Sequence, residues 1–393
     1  MELFGGVNNI LTGGFYIYRN EIHLNKKSLA ETAIQHKDRN PKVRYYFNDN
    51  IYNNFDWSIE PKESLQTIYL QRAKQLREKY DYIILWYSGG TDSHQILDVF
   101  LKHNIFIDEI QSVSFEKLIN NIDHSIIKQD DNLLELLEYP YNIKHQLEYA
   151  NKVSPKTKIT VIDGSDYVYS DISDGVFESF DMNTFDTIRT LTTPNFRNVK
   201  TYKKSMMKYN QLHTRKDKTC IITGTEKPPL RINNGDILFN FYDLAFLDFK
   251  ILNQNWVDPW FALEWFFWTP DMPEIPIKQS HVIKRALETD YTLYHQFINL
   301  PLRKIERNLA KHIYNYEKPI MYLPDKLDLT KMGSEVEFIV NFIIPEKNKY
   351  VNQAVNVIAN YNLKRYGQMS SVFRPIASKD YVIGKLNPKW KNL

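Results

Sequence analysis

The residues best suited to chemistry in this chain are the consecutive Ser88-Gly89-Gly90-Thr91-Asp92-Ser93, called here the 88–93 loop. An apolar run, residues 82–87, precedes them and an amphipathic stretch, residues 94–104, follows, which is the order strand, tight turn, helix. The start of a helix offers unpaired backbone N–H groups and the positive end of the helix dipole. Adjacent glycines also let a bulky anion approach the backbone. The loop therefore predicts a site for a phosphate chain.

The 88–93 loop differs from the best-known nucleotide motifs. The Walker A string G-x-x-x-x-G-K-[ST] and the dinucleotide string G-x-G-x-x-G are both absent from the sequence. The loop instead resembles the S-G-G-x-D-S signature of the PP-loop ATP pyrophosphatase superfamily, and every fixed position of that signature is matched. In layout the chain is most similar to the synthetase domain of asparagine-synthetase-like enzymes.

The resemblance implies a reaction with ATP. The β- and γ-phosphates would lie on the loop, ATP would be cleaved between its α- and β-phosphates, and AMP would pass to a carbonyl or carboxylate oxygen. A nitrogen or sulfur nucleophile would then displace AMP. The resemblance assigns phosphate contacts to the loop and adenine contacts to main chain near Tyr87 and Ser114. The nucleotide-binding residues so predicted are Tyr87, Ser88, Gly89, Gly90, Thr91, Asp92, Ser93, Ser114 and Gly224.

Asp92 is unexpected in an anion site and has two interpretations. A carboxylate in the first turn of a helix complements the helix dipole. A carboxylate at this position could also hold the loop or reach Mg²⁺, which proteins bind through one or two carboxylates together with substrate phosphates. Both interpretations stay open, with Asp92 as a candidate catalytic and metal-binding residue and Mg²⁺ as the expected companion of ATP.

A second candidate site follows the predicted strand 219–223. In asparagine synthetases a glycine-rich turn with an Asp-Glu pair stands at this place, and here Gly224 and Glu226 match while the Asp is missing. The resemblance would make Glu226 a Mg²⁺ ligand and Lys227 a phosphate partner. The alternative is a plain turn that leads into a hairpin over residues 230–239.

A lysine from the helical C-terminal region reaches the phosphates in asparagine-synthetase-like enzymes. Lys278 is the first candidate for that role and Lys284 the second. Neither choice depends on a motif, because both lysines are selected only by their position after the proline-rich residues 269–276.

Composition limits the class of protein. A hydrophobic content of 43% is typical of a globular chain. We find no signal-peptide pattern and no apolar run of about 18 residues, and therefore expect a cytoplasmic protein without a membrane partner. The histidines show no metal-binding spacing. The single cysteine, Cys220, lies in a strand-like run, which favours a buried structural thiol over a sulfur-transfer nucleophile.

Residues 197–218 carry eight Lys or Arg against one acid, with Tyr202 and Tyr209 among them. Basic and aromatic residues in alternation suit a polyanion such as nucleic acid. A solvated face and a segment that closes over ATP are the alternatives. The net charge of the whole chain is only +3, so strong attraction of nucleic acid is not expected.

Strands alternating with helices predict an α/β fold with a parallel sheet and helices on both faces, of the adenine nucleotide alpha hydrolase-like type. The predicted strands are 82–87, 110–115, 158–162 and 219–223, the last of which closes the sheet. We expect a small β-rich N-terminal region over 1–60, an ATP-binding domain over 61–250 with an insertion at 164–218, and a mainly helical region over 251–393. The aromatic residues 256–268 are interpreted as core or as a domain interface.

The function expected from the sequence is that of an AMP-forming enzyme that activates a carbonyl or carboxylate for attack by nitrogen. Some family members encoded by bacteriophages modify nucleobases, so a nucleotide or a nucleic-acid base is one candidate acceptor. The alternatives are a sulfurtransferase acting through Cys220 and an ATP-binding module without turnover.

Overall fold

The structure is a computed structural model. It describes residues 14–24, 26–114, 139, 143–163, 209–210, 218–224, 228–243, 261–300, 302–314 and 376–392.

The elements of the described residues form three sheets and a set of helices. The strands are β1 (Phe15–Tyr18), β2 (Glu21–His23), β3 (Arg44–Tyr46), β4 (Tyr82–Trp86), β5 (Glu109–Ser114), β6 (Lys158–Asp163), β7 (Thr219–Thr223), β8 (Arg231–Asn233), β9 (Asp236–Phe239), β10 (Phe261–Trp265) and β11 (Tyr381–Lys385). The α-helices are α1 (Lys26–Gln35), α2 (Asp49–Tyr52), α3 (Leu65–Lys79), α4 (Thr91–Lys102), α5 (Lys144–Val153), α6 (Glu274–Thr289), α7 (Tyr291–Asn299) and α8 (Leu302–Ile313). A 3₁₀ turn, Lys389–Asn392, follows β11.

The central sheet is parallel, has the order β10-β7-β4-β5-β6 and is flanked by helices, as the sequence predicts. From β4 the chain adds β5 and β6 on one side and then β7 and β10 on the other. The order therefore reverses between β4 and β7. In open parallel sheets, ligands bind at the carboxyl ends of the strands beside such a reversal.

Burial explains why these segments form strands and helices. All residues of β5 and β7 are buried, as is usual for parallel strands covered on both faces. Helix α3 starts after Ser64, whose Oγ accepts a hydrogen bond from Thr67 N at 3.1 Å. Its buried side chains recur at helical spacing, and they are Leu65, Ile68, Tyr69, Arg72, Ala73 and Leu76.

The prediction that residues 219–223 close the sheet was wrong, because β10 adds a fifth strand beside β7. Glu264 is a charged residue within β10. Its carboxylate accepts hydrogen bonds from Arg72 Nη2 at 2.8 Å, from Lys79 Nζ at 2.9 Å and from the Tyr80 hydroxyl. Two cations of α3, Arg72 and Lys79, thus compensate the negative charge of Glu264, and Tyr80, the residue after α3, adds a hydrogen bond. Of residues 256–268, interpreted from the sequence as core or a domain interface, residues 265–268 are buried, and residues 256–260 lie outside the described residues.

Two antiparallel sheets flank this domain. The N-terminal region, predicted to be rich in β-strand, contains the hairpin of β1 and β2, with β3 on the other side of β1. The predicted hairpin around Asn234-Gly235 is present as β8 and β9, and β11 from the C-terminal part pairs with β9. Aromatic side chains of the two regions pack together, among them Phe47, Tyr52, Trp57, Phe239, Phe241, Trp268 and Tyr381.

Helices α6, α7 and α8 make the described C-terminal region mainly helical, as expected, and α6 contacts both α3 and α8. Among the helices that the structure describes, none combines the length and the apolar character needed to cross a membrane.

Candidate functional site

The 88–93 loop connects the central strand β4 to α4 at the carboxyl edge of the sheet. Gly89 has φ +74°, a left-handed conformation that favours glycine. Gly90 follows with φ −72° and ψ 161° as the N-cap of α4, and no side chain caps the helix there. The first turn of α4 therefore lies beside a residue that has no side chain to shield its N–H groups.

Hydrogen bonds of Ser93 fix the shape of the loop. Its Oγ accepts from Ser88 N at 3.3 Å and donates to Gly90 O at 3.1 Å, and the Ser88 Oγ lies 3.3 Å away. Ser93 is buried whereas Ser88 is exposed. The Ser93 hydroxyl thus donates its proton within the loop. In this structure Ser93 therefore stabilises the shape of the turn. Contact of either serine with phosphate stays a prediction.

Among the residues that the structure describes, there is space above Gly90. A Cβ atom built on this residue would meet only the Ser88 Oγ of those residues, at 3.5 Å, which is an ordinary van der Waals distance. Packing against the described residues therefore does not require glycine at position 90. Close approach of a ligand to the backbone is a physical reason for glycine there.

Gly224 brings the end of β7 against the loop. A Cβ on this residue would lie 2.8 Å from the carbonyl carbon of Asp92 and 2.9 Å from the backbone nitrogen of Ser93. The predicted proximity of Gly224 and the loop is therefore present, and packing against the first turn of α4 explains the glycine. Glu226 and Lys227, the other candidates of this turn, lie outside the described residues.

Asp92 is hydrogen-bonded to a residue that the sequence analysis did not single out. Its Oδ1 accepts from the hydroxyl of Tyr314, which follows α8 and is buried. The Tyr314 ring lies 5.3 Å from that of Phe267, just beyond β10. Separation in the chain by 222 positions leaves no local sequence signal for this pair.

Tyr87 and His94 form a buried pair beneath the loop. The Tyr87 hydroxyl lies 2.9 Å from His94 Nδ1, and the Tyr87 N–H donates to Gln111 O at 2.8 Å. Burial lowers the pKa of His94 to about 4, and the charge of Lys102 acts in the same direction. His94 is therefore neutral at pH 7 and adds no positive charge to the site.

Ser114 is the last residue of β5 and pairs in register with Asp163, the last residue of β6. Both lie at the carboxyl edge that carries the loop, and Ser114 is buried. A contact of the Ser114 main chain with adenine stays a prediction.

The candidate lysines have partners on the protein. Lys278 Nζ donates to Pro61 O at 2.8 Å and lies 2.6 Å from Glu60 Oε1. Lys284 Nζ lies 2.6 Å from Glu288 Oε1. The partners of Lys278 lie in the segment before α3, and the partner of Lys284 lies in α6 itself. Either lysine would have to leave these partners before it could contact a phosphate.

The donor chemistry of the site fits Mg²⁺ only in company with phosphates. In the described ranges, no group of three or more His, Cys, Asp or Glu side chains is arranged to hold a metal ion. Asp92 provides one carboxylate at the loop, and one or two carboxylates plus substrate phosphates are a usual Mg²⁺ environment. Glu226, the second predicted ligand, lies beyond the described residues.

The predicted basic segment 197–218 is described only at residues 209, 210 and 218. Asn210 exchanges two hydrogen bonds with Gln111, of 2.7 and 2.9 Å, on one face of the sheet. Lys158 Nζ lies over the Tyr209 ring, 6.0 Å from its centroid. Tyr209 therefore packs against the sheet domain, and nucleic-acid binding by this segment stays a prediction.

Cys220 is fully buried in β7, and burial raises the pKa of its thiol well above the ordinary value. An inaccessible, protonated thiol is a poor nucleophile. The interpretation as a structural thiol agrees with this environment.

Comparison of the sequence with protein-family models gave no match, and comparison with curated proteins gave none either.

Proposed function

We propose that this chain binds ATP with its phosphates on the 88–93 loop and cleaves it to AMP and pyrophosphate. AMP would activate a carbonyl or carboxylate of an acceptor for attack by a nitrogen nucleophile. The observation that carries the proposal is the open space above Gly90 at the start of α4. This space lies at the carboxyl end of the central strand, beside the reversal of strand order.

Several features of the loop suit a departing pyrophosphate. Negative charge grows on the leaving group in the transition state, and fixed N–H dipoles stabilise it without having to reorganise. Gly89 and Gly90 give access to the backbone, while Ser93 ties the turn together. In this proposal Ser88, exposed at the loop, offers its hydroxyl to a phosphate oxygen.

The remaining roles follow from position. Asp92 would meet Mg²⁺ that arrives with the nucleotide, and the metal would neutralise charge on the phosphates. Ser114 would lie near the adenine. Glu226 and Lys227 would act from the turn after β7. Lys278 would reach a phosphate after leaving Glu60.

The reaction is tested by its products and by nucleotide binding. Purified protein is incubated with ATP, Mg²⁺ and pools of amino acids, nucleotides or oligonucleotides, and the nucleotides are separated by chromatography. We expect AMP and pyrophosphate in equal amounts when both the true acceptor and its nitrogen nucleophile are present. ADP as the product, or no calorimetric binding of ATP to the wild-type protein, would contradict the proposal.

An ATP-binding module without turnover is the second candidate. The observation in its favour is that Lys278 is held by Glu60 and Pro61 O, so the candidate phosphate-binding cation is engaged elsewhere. Such a module would bind ATP through the same loop and would require Gly90 equally. Release of AMP with any acceptor would exclude it.

A further inference from the structure

A hydrogen bond joins the 88–93 loop to the C-terminal helical region. The Tyr314 hydroxyl donates to Asp92 Oδ1, and Tyr314 itself is buried. Because Tyr314 follows α8 directly, this bond ties the end of that helix to the first turn of α4.

The position of Tyr314 is determined by contacts on three sides. Its backbone N–H donates to Ala310 O at 2.9 Å, which continues the helical pattern past α8. Its ring packs on Phe267. The Tyr69 hydroxyl donates to the carbonyl of Ile313 at 3.0 Å, and Gln279 Nε2 donates to that same hydroxyl at 2.8 Å. Helices α3 and α6 therefore fix the backbone beside Tyr314.

A tyrosine can orient a carboxylate without adding a charge to the site. A lysine or arginine would place a positive charge against Asp92, whereas a phenol donates a hydrogen bond and is itself uncharged. The ring also has few rotatable bonds, so little conformational entropy is lost when it is held in place. The pair thus presents a carboxylate of fixed direction at the edge of the loop.

We propose that Tyr314 is a positioning residue, which holds the Asp92 carboxylate where a divalent cation that accompanies the nucleotide phosphates meets it. The proposal deepens the proposed function and depends on it. It also means that the nucleotide site is completed by the C-terminal region, 222 positions away from the loop in the chain.

The test measures ATP affinity by calorimetry in Mg²⁺ and in EDTA for the wild type, Tyr314→Phe and Tyr291→Phe. Tyr314→Phe removes only the hydroxyl and keeps the ring on Phe267. We expect it to lower the affinity in Mg²⁺ by about tenfold, the size associated with loss of a hydrogen bond to a charged group, and to leave the affinity in EDTA unchanged. Tyr291, largely exposed on α7, is the matched control and should behave as wild type.

A second measurement separates positioning from general support. Asp92→Asn can still accept the hydrogen bond but lacks the charge, so it should lose most of the Mg²⁺-dependent affinity. Adding Tyr314→Phe to it should cause no further Mg²⁺-dependent loss. Equal losses in Mg²⁺ and EDTA, or wild-type behaviour of Tyr314→Phe, would overturn the positioning role alone. A wild-type protein that binds no ATP in either condition would overturn the proposed function, and the positioning role with it.

Discussion

Gly224 and Asp92 lie so close that a Cβ atom on the glycine would be 2.8 Å from the aspartate carbonyl carbon. This contact joins the end of β7 to the first turn of α4 across the point where the strand order reverses. The neighbouring Gly90 has open space instead. Gly224 is therefore required by packing against the protein backbone, whereas Gly90 leaves room for a ligand. Substitution of each glycine by alanine distinguishes these two roles.

Gly224→Ala should destabilise the protein. The added methyl group meets backbone atoms of Asp92 and Ser93 below 3.0 Å, so the loop or the end of β7 must shift. Overpacking of this kind costs about 1–3 kcal/mol in the free energy of unfolding. Denaturant unfolding followed by circular dichroism measures the change. Wild-type stability of this variant would contradict the described packing.

Gly90→Ala should instead preserve stability and impair nucleotide binding. Gly90 has φ −72°, which alanine adopts readily, and its Cβ would make only an ordinary contact with Ser88. We expect a change in unfolding free energy below about 1 kcal/mol. The methyl group would occupy the space proposed for phosphate, so ATP affinity should fall by roughly tenfold or more. Calorimetry measures the ATP affinity of Gly90→Ala. An affinity equal to that of the wild type would mean that the phosphates do not bind above residue 90.

The features predictable from the sequence are those with local signals. The order of strand, loop and helix around residues 82–104 depends on hydrophobic periodicity and adjacent glycines, and it is present as β4, the loop and α4. The turn at Asn234-Gly235 is equally local and is also present. Together with the alternation of predicted strands and helices along the chain, the signal around residues 82–104 was sufficient to predict the parallel sheet and to place the loop at its carboxyl edge.

The features that were missed depend on partners distant in the chain. No local sequence signal marks Glu264 as part of a buried strand, because Arg72, which compensates its charge, is 192 positions away. Tyr314 carried no signal because Asp92 is 222 positions away. Such pairs form because of the way in which the helices pack on the sheet. The hydrophobic periodicity of a single segment does not predict which distant residues will be in contact.

Glu264→Gln should destabilise the protein strongly. Arg72 is fully buried, and its guanidinium lies 2.8 Å from the Glu264 carboxylate. Removal of the Glu264 charge leaves the buried Arg72 with the more distant and more exposed Asp271 carboxylate, and breaking a buried ion pair costs about 3–5 kcal/mol. Asp271→Asn is the matched control: Asp271 is over one-third exposed and lies 3.5 Å from Arg72, so the loss should stay below about 1 kcal/mol. Equal losses in urea unfolding would contradict the central role of Glu264.

The buried pair of Tyr87 and His94 predicts a pH dependence of stability. The pKa of His94 is about 4 in the folded protein against 6.5 for an ordinary histidine. Between these values the unfolded chain binds a proton that the folded protein does not, so stability falls as the pH is lowered from about 6.5 to 4. The full loss is on the order of 3 kcal/mol for this group.

His94→Asn should remove this contribution, because asparagine keeps a polar group near Nδ1 but does not titrate. We expect the unfolding free energy of the wild type to fall more steeply between pH 7 and pH 4.5 than that of His94→Asn. The variant is less stable at pH 7, and the gap between the two proteins narrows in acid. Carboxylates with lowered pKa, such as Glu109, and His281 contribute equally to both proteins, so the difference isolates His94. Parallel pH profiles in urea unfolding would mean that His94 titrates normally and that the residues beneath the loop are accessible to water.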